Sequence, residues 1–196
     1  MPLINEPKLA PPGAGLPKPE LFIARLMFQY RYRTGNRGSF TALFERERKA
    51  IRQLVNSCPA DLAGKRVLIE RVRGLEDSSR YWSVWMTLEH LRIVHLGIAR
   101  TIDSLAREIA PSGQASTAAV KPRADVDASV VEDYEKSCDA LLAAGAAAKL
   151  NSTARFPHPW FGPLNDRGWF ALAGGHLGLH RRQIERILAD LPHATK

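Results

Sequence analysis

No stretch of this 196-residue chain approaches the ~18 consecutive apolar residues that a membrane-spanning helix needs. A secretory signal is absent as well. The one early apolar run, Leu21 to Phe28, is broken by Arg25, lies behind a proline-rich stretch and has no cleavage site. A cytoplasmic protein is therefore expected. Cysteine is scarce: Cys58 and Cys138 stand alone, outside any Cys-x-x-Cys pattern, which argues against a disulfide framework or a thiolate metal site. They read as two small buried or half-buried thiols, since neither has a histidine near it in sequence. The strict alternation of apolar and polar residues that marks half-buried strands is also missing, and with it any case for a sheet.

What remains is helical. Residues 1–17 carry five prolines and two glycines, too many fixed φ angles and missing donors for a regular helix, and read as an extended tail. Residues 18–192 then form one domain, long enough to bury a core without staples. A first helix is expected from about Pro19 to Thr34, and a second to about Asn56 with Ser39 as its N-cap. A short helix is expected around Val67 to Val72. After Ser79 begins the strongest one, where Trp82, Trp85, Met86, Leu88, Leu91, Val94, Ile98, Ile102 and Leu105 form a wide apolar stripe. Two more follow, from about Asp127 to Ala148 and from the N-cap Asn165 to about Leu191, just before Pro192. The fold class is all-α: four main helices and an extra N-terminal one.

Net charge is +8. Eight cations lie between Arg25 and Arg52 (Arg25, Arg31, Arg33, Arg37, Arg46, Arg48, Lys49, Arg52) against Glu45 and Glu47, a local excess of +6. That region is where nucleic acid would bind, but it lacks interleaved aromatics and zinc-finger spacing, and a basic helix face is ordinarily a solvated one.

Six histidines are present. His176 and His180, four apart on the last helix, share a face with their imidazoles about 6 Å apart along the axis, close enough to reach one ion. On its own this spacing is a weak signal. His90 sits amid the apolar stripe of the strongest helix, and three buried imidazoles are hard to satisfy inside a bundle without a metal. Three neutral nitrogens would leave open positions on zinc, nickel, iron or manganese, and they do not choose among these ions. His95, five residues past His90, faces elsewhere. His158 lies in a turn-rich loop, and Gln183 shares the stripe of His176 and His180, where it orients a water or serves as a buried structural amide.

These residues resemble a family. Trp82-Ser83, then six residues, then His90-Leu91 is similar to the WS-x6-HL signature of DinB-like proteins. His158-Pro159-Trp160-Phe161-Gly162-Pro163-Leu164, with His176-x3-His180 and Gln183-Ile184 after it, is similar to the family's closing HP-x-x-G-x-L…H-x3-H-x2-QI pattern. The likeness runs from about Ser39 to Leu191. It implies a DinB-like four-helix bundle with a long crossover and a divalent metal held by His90, His176 and His180. It also implies a metal-dependent transferase or isomerase using a low-molecular-weight thiol such as mycothiol, bacillithiol or glutathione. Met86 departs from the pattern where relatives often carry a glutamate, and Glu89 points about 100° away from His90 around the helix.

Three functions follow as expectations: the metal-dependent enzyme acting on a small-molecule substrate, a non-catalytic metal-binding or stress-response bundle, and nucleic-acid binding through Arg25–Arg52. No membrane partner is expected. The oligomeric state is left open, with a homodimer among the options.

Overall fold

The computed structural model describes residues 6–191. Pro192, the expected stop of the last helix, and His193 lie outside them. Five helices follow in order: α1 (Lys18–Thr34), α2 (Arg37–Ser57), α3 (Val84–Ala106), α4 (Val130–Ala147) and α5 (Asp166–Asp190). Two short antiparallel pairs join them, β1 (Val67–Leu68) with β2 (Tyr81–Trp82) and β3 (Phe156–His158) with β4 (Gly162–Leu164).

Three of the five helices have a side-chain cap at the N-terminus. Asn165 caps α5 by accepting from the Gly168 amide, as expected, whereas α3 begins later than the start expected after Ser79, with Ser83 as its cap accepting from the Met86 amide. At α2 the expectation was displaced by one turn. Asn36 is the N-cap and Ser39 is its reciprocal partner three residues on, a capping box in which each side chain takes the other's amide. The segment read as a short helix at Val67 to Val72 is instead strand β1. Val67 and Leu68 pair with Trp82 and Tyr81, fifteen and thirteen residues downstream, a contact no local window reveals.

α3 is the central element and packs against both α4 and α5, while α2 lies on α5 and α1 lies outside α5. Leu88, Leu91, Ile102 and Leu105 of α3 are wholly buried, each worth roughly 1.5–3 kcal/mol of transfer free energy. α5 is two-faced for a reason written in its small residues. Gly174 and Gly178 turn toward α2, where a Cβ on Gly174 would sit 2.8 Å from Leu43 Cγ. His176 and His180 lie about 200° further round the helix and face α3. Close approach of α2 on one side thus fixes the azimuth of the histidines on the other.

The proline-rich tail supplies no core side chain among the described residues; the first buried residue is Phe28. It is nonetheless tied down. The Ala10 amide donates to Asp77 Oδ2 (2.7 Å), the Gly13 amide to Glu76 Oε2 (3.3 Å), and Glu6 pairs with Arg66 (2.7 Å).

Candidate metal centre

His90 stands two turns into α3, held there by the Ser83 cap and by Thr87 Oγ1 donating back to Ser83 O (2.9 Å). The turn spacing of α5 brings His176 and His180 opposite it. The His90 and His180 rings lie 4.4 Å apart between centroids, those of His176 and His180 4.5 Å, and Trp82 stacks parallel to His180 at 6.2 Å. One ring nitrogen from each of His90, His176 and His180 lies within 4.8 Å of the others.

The proton positions follow from the partners. His90 Nδ1 lies 2.8 Å from the Val120 carbonyl, which can only accept, so Nδ1 carries the hydrogen and Nε2 offers its lone pair. A longer chain of reasoning fixes His180. The Ser79 carbonyl accepts from Gln183 Nε2 (2.7 Å), which turns Gln183 Oε1 toward His180 Nδ1 (2.6 Å), so Nδ1 donates there and Nε2 is again free. His90 Nε2 and His176 Nε2 face each other at 3.3 Å. Two tetrahedral ligands at 2.0–2.1 Å from a zinc ion would be about 3.3 Å apart. The donor set therefore fits a small divalent ion. His176 is the least constrained of the three: half-buried as a residue, with its Nδ1 sealed from solvent and unpartnered among the described residues.

Burial pushes the His90 imidazole down to about 4, partly offset by the bond to Val120, and holds His176 and His180 well below the usual histidine range. The ligand nitrogens are neutral, the state that binds metal. No carboxylate joins them. Met86 is buried and offers no carboxylate, and Glu89 is buried but committed to Arg92 at 2.6 Å.

Around the triad lies a polar knot. The buried carboxylate of Glu76 accepts from the Gly13 amide, from Thr117 Oγ1 (3.1 Å), from Ser78 Oγ (3.4 Å) and from Lys121 Nζ (3.5 Å). Lys121 also donates to Ser78 and Ser79 Oγ (2.8 Å each), and its ammonium lies 5.2 Å over the Trp82 ring. The same strap of chain carries Val120, whose carbonyl holds His90.

The other candidates go elsewhere. His95 is wholly buried between α3 and α4, 3.2 Å from Ser137 Oγ. His158 Nδ1 accepts from the Trp160 amide (3.1 Å) within the β3–β4 turn. Arg181 is bound to Glu47 at 2.6 Å and to Glu185, away from the triad, and Arg182 is exposed. The Cys138 thiol lies 3.6 Å from His95 Nδ1, a neighbour that sequence distance concealed. Gln183's part in orienting His180 was missed too; the spacing of three between them was the available signal.

The comparisons agree with this architecture. The model of the DinB superfamily matches residues 43–184. The crystal structure of TT2238, a four-helix bundle protein, aligns with a TM-score of 0.56 at 23% identity, over 76% of this chain and 98% of that one. None of the curated proteins compared with the chain matches it. With its bundle topology and its matched segment spanning most of the sequence, the chain belongs to the DinB superfamily.

Proposed function

We propose that His90, His176 and His180 hold a divalent metal ion and that the protein is a metal-dependent enzyme using a low-molecular-weight thiol, a transferase or isomerase in class. One observation carries the metal reading. Two of the three imidazoles have their outer nitrogens pinned by Val120 O and Gln183 Oε1, so that the inner ones converge. A core histidine such as His95 also has one ring nitrogen held by an accepting oxygen; what sets the triad apart is that the free nitrogens of three imidazoles meet at one point. The ion would be zinc, nickel, iron or manganese; when bound, it would lower the pKa of a coordinated thiol or water.

The chain's own residues favour an anionic ligand at the open position. All three nitrogens are neutral, and Met86 adds no carboxylate, so no ligand among them offsets the charge of a divalent ion. The neighbouring Lys121 ammonium and Glu76 carboxylate are paired with each other and act on His90 with opposite signs, so the excess positive charge would be that of the ion itself. A thiolate, as in mycothiol, bacillithiol or glutathione, suits such a site. Trp82, stacked on His180, gives the centre an apolar wall. The expected setting is cytoplasmic, where such thiols stay reduced.

The nucleic-acid reading is weaker than the bare charge implies. Five of the eight cations between Arg25 and Arg52 are bound to the protein's own acceptors. Arg25 reaches Trp160 O, Arg37 the end of α4, Arg46 reaches Glu47, and Arg48 and Arg52 share Glu135. A non-catalytic metal-binding bundle is the remaining alternative.

Elemental analysis of the purified protein tests the metal, with about one ion per chain expected for wild type and none for His180→Ala. Transfer of an electrophile to each of the three thiols by the metal-loaded protein tests the reaction. Metal without thiol transfer would leave the non-catalytic reading standing, and neither would sink both.

A further inference from the structure

α1 buries a single residue, Phe28, and turns an apolar face outward. Phe22, Ile23, Leu26, Met27 and Tyr30 are 63%, 56%, 55%, 61% and 72% exposed. Their spacing, i, i+1, i+4, i+5 and i+8, draws one stripe along the helix. We propose that this stripe is the surface by which two copies of this chain pair, α1 against α1 of the partner about a two-fold axis.

Four observations carry the proposal. First, the helix is locked in place, so the stripe cannot roll inward. Arg25 Nε donates to Trp160 O (2.7 Å), Phe28 packs on Phe161 with ring centroids 4.7 Å apart, Tyr32 Oη bonds Asn165 (3.2 Å), and Glu20 is bound to Arg71. Second, the area is right. At those exposures the five side chains leave on the order of 600 Å² of apolar surface in water, taking 150–250 Å² per aromatic residue and somewhat less per aliphatic one. Covered from both sides, that becomes roughly 1,200 Å², the lower end of specific protein interfaces. Third, the stripe contains no charge, and an isologous contact needs only a patch complementary to itself.

The fourth observation concerns the rival occupant, an anionic membrane surface. A helix built to lie on lipid frees its arginines to reach headgroups. Here Arg25 is spent on Trp160 O and Arg31 is half-buried against Gly175 of α5. Arg25 is exposed but has its Nε tied to that carbonyl, which leaves Lys18 and Arg33, at the two ends, as the exposed cations of α1 without such a bond. α1 also lies outside the segment that the family model matches, residues 43–184, so the pairing surface belongs to an addition to the bundle.

Sedimentation equilibrium on the full chain at micromolar concentration tests the pairing. The expected mass is twice that of one chain for wild type and that of one chain for Leu26→Glu, with the helical circular dichroism of the two unchanged. Because each copy carries a net charge of +8, added salt should tighten the pair by screening repulsion, whereas it would loosen attachment to an anionic surface. A monomeric wild type would overturn the proposal. So would a dimer that survives Leu26→Glu, since the contact would then lie elsewhere. Flotation of wild type with vesicles containing phosphatidylserine, abolished by Leu26→Glu in a protein that is monomeric in solution, would assign the stripe to lipid instead. Should Leu26→Glu lose helicity, Tyr30→Glu, the most exposed position of the stripe, replaces it under the same criteria.

Discussion

Two groups of buried histidine share α3, and they are built for different ends. At the α3–α5 seam, three imidazoles converge and two have their outer nitrogens held by accepting oxygens. At the α3–α4 seam, His95 stands alone. Ser137 Oγ gives its proton to Tyr134 O (2.6 Å), so toward His95 it can only accept, and His95 Nδ1 carries a hydrogen. That arrangement disarms the nearby thiol. The ring nitrogen 3.6 Å from Cys138 already bears a proton and cannot take another from sulfur, while burial pushes the thiol up to about 12. Burial alone therefore does not mark a reactive histidine. What separates the two seams is how many imidazoles meet and what holds the nitrogen that faces away.

Breaking the first seam should have the largest effect. His176→Ala leaves two nitrogen ligands, and bound metal should fall from about one ion per chain to none while far-UV circular dichroism stays helical. Full occupancy in that variant would mean another residue is the ligand. Breaking the second seam should do the reverse. His95→Ala removes a wholly buried ring, so stability to urea should fall by about 2–4 kcal/mol, with metal content untouched.

Gln183→Leu sharpens the contrast. It keeps all three ligands but frees His180 Nδ1 from its acceptor, and metal affinity should fall by about 10–100-fold. An unchanged affinity in a competition titration would reduce Gln183 to a packing role.

The smallest effect concerns acid. Burial lowers the His95 imidazole from 6.5 to about 3, so below pH 6.5 the unfolded chain binds a proton there that the folded one refuses. Stability should therefore decline as pH falls from 6.5 toward 3, with His95 contributing roughly 1 kcal/mol of loss in the first pH unit. Subtracting the urea-stability profile of His95→Phe from that of wild type isolates this contribution, and parallel profiles would deny it.

Much of this was legible in the chain. The stripe from Leu88 to Leu105 and the shared face of His176 and His180 follow from periodicities of three to four residues, the cap Asn165 from its place before the last helix, and the meeting of His90 with that pair from the resemblance to DinB-like proteins. The features that escaped depend on pairing across distance. Val67 and Leu68 join a strand because Tyr81 and Trp82 return beside them. Ser39 resembled a cap because only the folded turn reveals that Asn36 takes its amide. Cys138 and His95 are 43 positions apart and meet only once α3 packs on α4.

The knot at Glu76 has a further consequence, for how the molecule breathes. Gly13, Ser78, Thr117 and Lys121 come from three stretches of sequence, yet all close on one buried carboxylate. Val120, next to Lys121, holds the outer nitrogen of His90. Amide hydrogens across these stretches should exchange with deuterium as one cooperative unit, distinct from the helices and opening at lower free energy. Opening of that unit would uncover the histidine centre without separating the bundle, so the rate at which it unlatches would set how often the interior meets solvent.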